Sequence, residues 1–358
     1  GLMADKKVTI AEVAKRAGVS KATISNYLNK RYDRMKEETK DNIQEAIDAL
    51  GYIPSISARR LSAKEKSKTV GLIIPGNLAN VFDTMYFPQV FDAVGKEAEK
   101  QGYSVLIYAQ NRRKLGDEQL EYLMGLGKSL VDGFLIFSLT PRDRYFKEFE
   151  KNKIPYVCVG KIKGYDDYNY VATDHAQTVK EAVNYLVQLG HEKIAMLTED
   201  KVSVVEENRF PAYKEALEQH GIPYREDYYY SFSCGEIAEN AERVFNEMLQ
   251  KKERPSAFII PANLTRYLKR AVRANNLYIP DDLSLITLEY YENYYSEYVT
   301  FQNMEYTRVP SVADKVSEVA LQKLISLIEQ QEEKFESCLE PIELKIGKTT
   351  RVKAKTVN

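Results

Sequence analysis

The pattern of apolar and polar positions divides the chain after about residue 68. Beyond that point, continuous apolar runs such as T-V-G-L-I-I-P alternate with segments that carry an apolar stripe at helical spacing. Such runs are typical of strands buried on both faces of a parallel sheet, and the stripes indicate crossover helices. The pattern predicts strands at 70–74, 104–108, 133–137, 156–159, 193–198, 257–260 and 283–288, and helices near 87–101, 116–126, 175–189, 208–220, 238–250, 264–275 and 312–330. We therefore expect an α/β body of parallel sheets flanked by helices, and its roughly 290 residues favour two lobes.

The first thirty residues show a different pattern, that of two short helices around a tight turn. Thr9 and Glu12 have the spacing of a capping box, Gly18 is suited to end the first helix, and Ser20 is suited to begin the second. One face of the second helix is apolar. The opposite face carries short or polar residues: Lys21, Ala22, Ser25, Asn26 and Asn29. A recognition helix that enters the major groove of DNA needs such a face, so we predict a helix-turn-helix.

A third helix over 37–50, ended by Gly51, completes a three-helix head, and Pro54 then redirects the chain. The residues that follow predict a short hinge helix and a polar, basic linker. We expect a DNA-binding domain at 1–53, a hinge helix and linker at 54–68, and a body at 69–358. The expected lobes of the body are lobe 1 at about 69–166 and 299–331, and lobe 2 at about 167–298 and 332–358.

The distribution of charge separates the same parts. The first 68 residues contain 15 Lys and Arg against 9 Asp and Glu, and the remainder contains 36 against 43, so the net charge of −1 conceals a basic head on an acidic body. A basic head favours a nucleic-acid partner. Cys158, Cys234 and Cys338 are odd in number and widely spaced, which predicts no disulfide framework and fits a reducing cytoplasm. We also expect neither a signal peptide nor a transmembrane segment.

Several motifs occur in an order and spacing that resemble one family. They are G-Y-I-P-S-I-S-A-R-R-L at 51–61, V-D-G-F-L-I-F at 131–137, I-P-Y-V-C-V at 154–159, L-G-H-E-K-I-A at 189–195, R-P-S-A-F-I-I at 254–260 and I-P-D-D-L-S-L-I at 279–286. With the helix-turn-helix, they make nearly the whole chain similar to the LacI/GalR family of bacterial transcription regulators. The resemblance implies a periplasmic-binding-protein-like body and a cytoplasmic repressor that is not an enzyme and needs no cofactor or metal.

The resemblance also implies how DNA is bound. A homodimer, or a tetramer, would read the two half-sites of a near-palindromic operator in double-stranded DNA, and Leu61 from each hinge would wedge into the minor groove. Lys21, Ala22 and Asn26 fall on the positions that select bases. The remaining DNA-binding candidates are Thr9, Ser20, Thr23, Ser25, Asn29, Ser55, Ala58 and Arg59. Asn26 stands where the family commonly has arginine; because asparagine prefers adenine and arginine prefers guanine, the operator is expected to depart from the usual half-site.

A small-molecule effector is expected in the cleft between the lobes. Arg209, in N-R-F-P-A-Y, matches an arginine that grips sugar hydroxyls in relatives, and Asp174 matches an acidic position at a helix start. Asn263 and Glu289 fall on two further effector positions. His175 and Glu289 differ from the common Asn and Asp. A sugar or sugar derivative is the expected effector, and a nucleobase, a phosphorylated metabolite or a partner protein are alternatives.

Other interpretations of the sequence remain open at this stage. A solute-binding protein with the same body is the main alternative, and an enzyme is the third. The G-L-G-K-S segment at 125–129 lacks the earlier glycine of a phosphate-binding loop, since Tyr122 occupies that position. His175, His191 and His220 lack metal-ligand spacing. The tyrosines at 290, 291, 294, 295 and 298 could stack on sugar rings or belong to a surface loop.

Overall fold

The computed structural model describes residues 7–55, 66–75, 85–110, 114–233, 235–291, 300–301, 304–331 and 335–354. The chain divides into two compact units, Gly1–Ser67 and Lys68–Asn358. The hinge candidates Ala58, Arg59 and Leu61 lie outside the described residues, as do three of the clustered tyrosines.

The first unit contains three helices: α1 Ile10–Ala17, α2 Lys21–Leu28 and α3 Glu37–Leu50. The capping box is formed at the start of α1, where the backbone N–H of Thr9 donates to Glu12 at 2.7 Å. Gly18 then ends α1 in the left-handed conformation with φ of 67°, which glycine adopts at little cost. A small core centred on Val13, Ile24 and Ile43 fixes the angle between the helices. The capping box, the glycine at the end of α1 and this core together produce the predicted helix-turn-helix.

The second unit is built from two parallel sheets flanked by helices. Its elements are β1 Thr69–Pro75, α4 Tyr86–Gln101, β2 Ser104–Gln110, α5 Asp117–Ser129, β3 Gly133–Ile136, α6 Phe146–Lys151, β4 Tyr156–Val159, β5 Tyr170–Thr173, α7 His175–Gln188, β6 Ile194–Glu199, α8 Val204–Gln219, β7 Tyr229–Phe232, α9 Ile237–Leu249, β8 Ala257–Pro261, α10 Thr265–Ala274, β9 Ser284–Tyr290, β10 Thr300–Phe301, β11 Met304–Glu305, β12 Thr307–Pro310, α11 Ala313–Ile328 and β13 Cys338–Glu340. The predicted α/β class is confirmed.

The two sheets define the two lobes. The first lobe has strand order β13-β5-β4-β3-β1-β2, and the second has β12-β9-β8-β6-β7. Each sheet carries apolar clusters on both of its faces, packed against helices. Burial on both faces explains why most strands are continuous apolar runs in the sequence.

Three segments lie in the opposite lobe from the one expected. β5 pairs with β4, and β13 pairs with β5, so both belong to the first sheet. β12 pairs with β9 and belongs to the second sheet. These strands are three or four residues long; β12 and β13 lie at the edges of their sheets and β5 lies next to β13, so that backbone pairing decides the lobe.

Other differences have similar causes. The apolar pattern predicts neither the six-residue helix α6 nor the short strands β5, β7 and β10 to β13. α8 begins at Val204, four residues before the predicted start, because Ser203 caps it, and the helix continues through Pro211. The segment at 125–129 lies inside α5, whereas a phosphate-binding loop would follow a strand.

His191 ties the end of the chain to the second lobe. Its Nδ1 lies 2.8 Å from the hydroxyl of Ser256, and its Nε2 lies 3.0 Å from the carbonyl oxygen of Arg351. Burial lowers the pKa of His191, against the opposing effect of the Arg351 carbonyl, and so favours the neutral ring. The histidine therefore has a structural role.

Candidate nucleic-acid interface and ligand cleft

Helix α2 presents the predicted reading face to solvent. Ile24 is 0% exposed in the core of the head, and the side chains of Lys21, Ala22 and Asn26 are exposed on the other side. In the described part of the chain, the side chains of Lys21 and Asn26 form no hydrogen bond or ion pair, so their polar groups remain available for bases or phosphates. The fold thus separates the packing face of α2 from its polar face, as DNA reading requires.

The other candidates on the head have local roles as well. Ser20 accepts a hydrogen bond from the backbone N–H of Thr23 at 3.1 Å, and the two hydroxyls lie 2.8 Å apart. Asn29 caps the end of α2, and its backbone N–H donates to Ser25 at 3.0 Å. Thr9 is held in the capping box. Ser55 is exposed at the end of the described part of the head.

A cavity of about 760 Å³ lies between the lobes of the second unit. It is formed at the carboxyl ends of the parallel strands, where ligands bind in open α/β sheets. The first lobe contributes Tyr86 and Ser138, among others, and the second contributes Glu199, Arg209 and Glu289. The size is that of a pocket for a small molecule.

The deepest charged group of this cavity is Arg209. It is 1% exposed, and its Nη2 lies 3.1 Å from Oε1 of Glu289, which is 23% exposed. Neither Nε nor Nη2 of Arg209 satisfies hydrogen-bond geometry with a described residue, so the Glu289 contact is an ion pair without a well-aligned hydrogen bond. The arginine is electrostatically paired and still has donors to offer.

Burial and this pair together set the protonation states of two neighbours, His175 and Glu199. The ring Nδ1 of His175 lies 3.8 Å from Glu289, and burial together with Arg209 lowers the pKa of His175 to about 4. His175 is therefore neutral at physiological pH. Burial, reinforced by Glu289, raises the pKa of Glu199 to about 7, although Asn263 donates a hydrogen bond to its carboxylate.

Behind the lining, Glu206 is a further buried carboxyl group. Burial raises its pKa to about 7, against the opposing effect of Arg209. The hydroxyl of Thr198 donates its proton to Ser231 at 2.9 Å and so offers none to Glu206. Neither carboxylate oxygen of Glu206 satisfies hydrogen-bond geometry with a described residue. The carboxyl groups in and behind the cleft therefore outnumber Arg209, which is already paired with Glu289.

Two tyrosines add aromatic surface to the cavity. Tyr86 comes from the first lobe and Tyr291 from the second. Burial, with Glu289 nearby, raises the pKa of both phenols well above the ordinary value, so both remain neutral. Neutral phenols combine an apolar ring with a hydroxyl that both donates and accepts.

Three lining residues have left-handed backbone conformations that non-glycine residues rarely adopt. They are Ser138 with φ of 58°, Asp200 with φ of 58° and Glu289 with φ of 50°. Such conformations cost on the order of 1–3 kcal/mol each and concentrate at functional sites. Their occurrence at the ends of β3, β6 and β9 supports a ligand role for this edge of the sheets.

The structure brings together three of the four effector candidates. Arg209, Asn263 and Glu289 line the cavity. Asp174 does not, because its carboxylate caps α7 and accepts from the backbone N–H of Gln177 at 3.1 Å. The next residue, His175, faces the cavity instead.

Sequence reasoning missed several lining residues. Glu199 ends a buried strand, and the carboxyl end of a strand was a usable signal. His175 was noted only as a departure from the common residue. Tyr86 begins α4, and nothing in its local sequence indicated a cleft position. Among the described residues, no group of His, Cys, Asp and Glu side chains is arranged to hold a metal ion.

One wall of the cleft is closed by contacts between the lobes. The backbone N–H of Val204 donates to Leu139 at 3.2 Å, and Nδ2 of Asn208 donates to the carbonyl oxygen of Lys161 at 2.8 Å. The Val204 side chain also joins an apolar cluster of the first lobe. The start of α8 is therefore attached to both lobes.

Comparison with known proteins agrees with this division of the chain. Residues 9–55 match the bacterial regulatory proteins of the lacI family, and residues 183–350 match the periplasmic binding protein-like domain. The chain is 28% identical over 341 residues to the probable HTH-type transcriptional regulator EndR of Paenibacillus polymyxa, covering 94% of this chain and 95% of that protein.

Solved structures show the same fold. The lac repressor dimer bound to operator and the anti-inducer ONPF has a TM-score of 0.77 and 22% identity, and the match covers 97% of this chain and 100% of that one. The transcriptional regulator CelR in complex with cellobiose has a TM-score of 0.68 and 21% identity, over 96% of this chain and 100% of that one.

The helix-turn-helix and the two-lobed body with its cleft define a DNA-binding transcription regulator with a ligand-binding fold. This chain belongs to the lacI family of bacterial regulatory proteins. None of the helices in the described ranges has the length and apolar content that a membrane crossing needs.

Proposed function

We propose that this chain is a cytoplasmic repressor that binds a near-palindromic operator as a dimer and is controlled by a sugar or sugar derivative in the cleft. The observation that carries the DNA part is the exposed polar face of α2 on a packed three-helix head. The domains proposed are the head at 1–53, the hinge helix and linker at 54–68, and the body at 69–358.

Lys21, Ala22 and Asn26 are proposed to select bases. The proposed supporting contacts come from Thr9, Ser20, Thr23, Ser25, Asn29 and Ser55. In the hinge, Ala58 and Arg59 would contact DNA, and Leu61 would wedge into the minor groove, where an apolar side chain unstacks a base step. Replacing Leu61 by alanine should then reduce DNA bending.

The effector part rests on the cavity and its chemistry. Arg209 offers donors, Glu289 and Asn263 offer acceptors, and two tyrosines offer ring faces, which together suit a polyhydroxylated ligand. CelR in complex with the sugar cellobiose and the lac repressor bound to the anti-inducer ONPF share this fold. Effector binding would act on DNA through its different affinity for two arrangements of the lobes. We propose no catalytic turnover of this ligand.

A genomic-fragment binding selection tests the DNA part. It should return one enriched near-palindromic motif, and affinity should fall steeply with salt because phosphates are neutralised. Lys21→Ala and Asn26→Ala should each weaken binding by about 1–3 kcal/mol and relax base choice at one position. Lys96→Ala on the body is the matched control. A selection without an enriched motif would contradict the proposal.

A further inference from the structure

We propose that the cleft accepts uncharged or cationic ligands rich in hydrogen-bond donors and rejects anionic ones, such as sugar phosphates and sugar acids. The inference rests on the proposed role of the cleft as the effector site. It names Glu289 and Glu199 as the residues that set this charge selectivity.

The first step concerns the cations that an anionic ligand would need. Among the described residues, three cations line the cavity: Lys161, Arg209 and Arg266. The ammonium of Lys161 donates to two backbone carbonyl oxygens at 2.5 Å and pairs with Asp166 at 3.1 Å. Arg266 is exposed, and its guanidinium lies 4.9 Å from the ring centre of Tyr267. Only Arg209 is both buried and directed at the cavity within the described ranges.

The second step is that Arg209 is already neutralised. Glu289 lies 3.1 Å from its Nη2 inside the protein. A ligand phosphate or carboxylate would have to displace Glu289 or to lie beside it. Because charges interact strongly where water is excluded, either arrangement is unfavourable.

The third step is the excess of carboxyl groups. Glu199 and Asp200 line the same cavity as Glu289, and Glu206 lies close behind. Arg209 is the single buried cation facing the three lining carboxyl groups in the part of the chain that the structure describes. An anionic ligand adds to this excess of negative charge. A ligand hydroxyl or ammonium group instead donates hydrogen bonds to the carboxyl groups and lowers the free-energy cost of burying them.

The fourth step is the supply of acceptors. Neither Oδ1 of Asn263 nor Nδ1 of His175 has a hydrogen-bond partner among the described residues, and both residues line the cavity. The carboxylate of Glu289 and Oδ1 of Asn263 would accept hydrogen bonds from a ligand, and Nδ1 of His175 would accept or donate according to its tautomer. Hydroxyl and ammonium groups both provide such donors, whereas a phosphate dianion provides none.

The test uses ligand series that differ only in charge. Several pyranoses and furanoses would each be supplied as the neutral sugar, the amino sugar, the sugar acid and the sugar phosphate. Binding to the intact protein would be measured by thermal shift and calorimetry. In at least one series the neutral or amino member should bind, and its acid and phosphate should bind on the order of tenfold more weakly or worse. The ratio of neutral to amino affinity separates hydroxyl recognition from ammonium recognition.

Matched variants locate the selectivity. Glu289→Gln should free Arg209 and raise the affinity for the acid or phosphate, relative to its neutral parent, on the order of tenfold. Glu199→Gln should shift the same ratio in the same direction. Glu215→Gln is the control, because it makes the same substitution in α8 at a surface pair with Lys180, 3.5 Å apart.

The outcomes separate the two levels of argument. An acid or phosphate that binds wild type as tightly as its neutral parent would overturn the charge selectivity and leave a sugar effector intact. An unchanged ratio in both Glu→Gln variants would overturn the assignment to Glu289 and Glu199. If no member of any charge class binds, the proposed sugar effector fails, and the inference fails with it.

Discussion

Arg209 is the group whose removal should disturb the body most informatively. It is almost fully buried, it pairs with Glu289 at 3.1 Å, and it opposes the high pKa of both Glu199 and Glu206. Arg209→Met keeps most of the length of the side chain and removes its charge. The variant therefore leaves several carboxyl groups without their buried cation.

The size of the effect follows from burial and pH. Removing one partner of a buried ion pair costs about 3–5 kcal/mol. Glu289 is 23% exposed and remains partly hydrated, so we expect a lower cost of about 2–3 kcal/mol at pH 8. Loss of Arg209 raises the pKa of Glu199 and Glu206 further, and their protonation relieves the repulsion. The cost should therefore be smaller at pH 5 than at pH 8.

A double-mutant cycle isolates the pair. Arg209→Met combined with Glu289→Gln should recover about 1–2 kcal/mol relative to the sum of the single variants, because the unpaired carboxylate is also removed. The chain has no tryptophan, so urea unfolding would be followed by far-ultraviolet circular dichroism. Lys180→Met, in the surface pair with Glu215, is the control and should cost less than about 1 kcal/mol.

Two results would refute this reasoning. A cost of Arg209→Met below about 0.5 kcal/mol at pH 8 would show that the buried charge contributes little to folding. Strictly additive single variants would show that Arg209 and Glu289 do not act as a pair. Either result would also remove the physical basis for anion rejection by the cleft.

Three further predictions concern other parts of the body. The pKa of Glu206 is raised to about 7, so its contribution to stability is complete below pH 4.5 and is lost as pH rises through 7. Glu206→Gln should therefore raise the unfolding free energy by about 1–2 kcal/mol at pH 8 and change it little at pH 4.5, as measured by urea unfolding. The pKa values of His191 and His175 are both lowered, so stability should fall as pH drops below 6.5; His191→Phe should reduce this dependence and leave the share of His175, at a cost of about 1–3 kcal/mol, measured by urea unfolding. Val204→Ala should weaken the attachment between the lobes by about 1–2 kcal/mol, and small-angle scattering should detect a more open body.

The head could be predicted closely because its signals are local. Thr9 and Ser20 cap the two helices through bonds that span only three residues, and Gly18 ends the first helix in the conformation that glycine allows. The apolar residues of α2 need only a small partner core, supplied by α1 and α3. Local signals of this kind do not depend on long-range pairing, so the sequence carries nearly all of the information.

The body was predictable where strands are long and buried, and less so where short strands lie at or next to the edge of a sheet. β5, β12 and β13 are short, and their place is decided by which neighbouring backbone they bond to. That choice depends on contacts far away in sequence. The assignment of these three segments to lobes therefore failed, although both parallel sheets were expected.

The cleft shows a second limit. Asp174 and His175 are adjacent, and the start of α7 decides which side chain caps the helix and which faces the ligand. A resemblance aligned by motif identifies the region but does not resolve a one-residue choice of this kind. Glu199 illustrates the opposite case, because the end of a buried parallel strand is a position where ligand-facing residues are expected.

The charge preference of the cleft could not follow from residue types alone. An arginine at position 209 suits sugar hydroxyls, a phosphate or a carboxylate, because its donors fit all three. Which of these it prefers depends on whether a carboxylate is already beside it in the folded protein. Glu289 is eighty residues away in sequence and reaches Arg209 only because β9 and α8 converge at the same edge of the second sheet. Selectivity is therefore a property of the pair, and substituting Glu289 should change ligand choice while Arg209 remains in place.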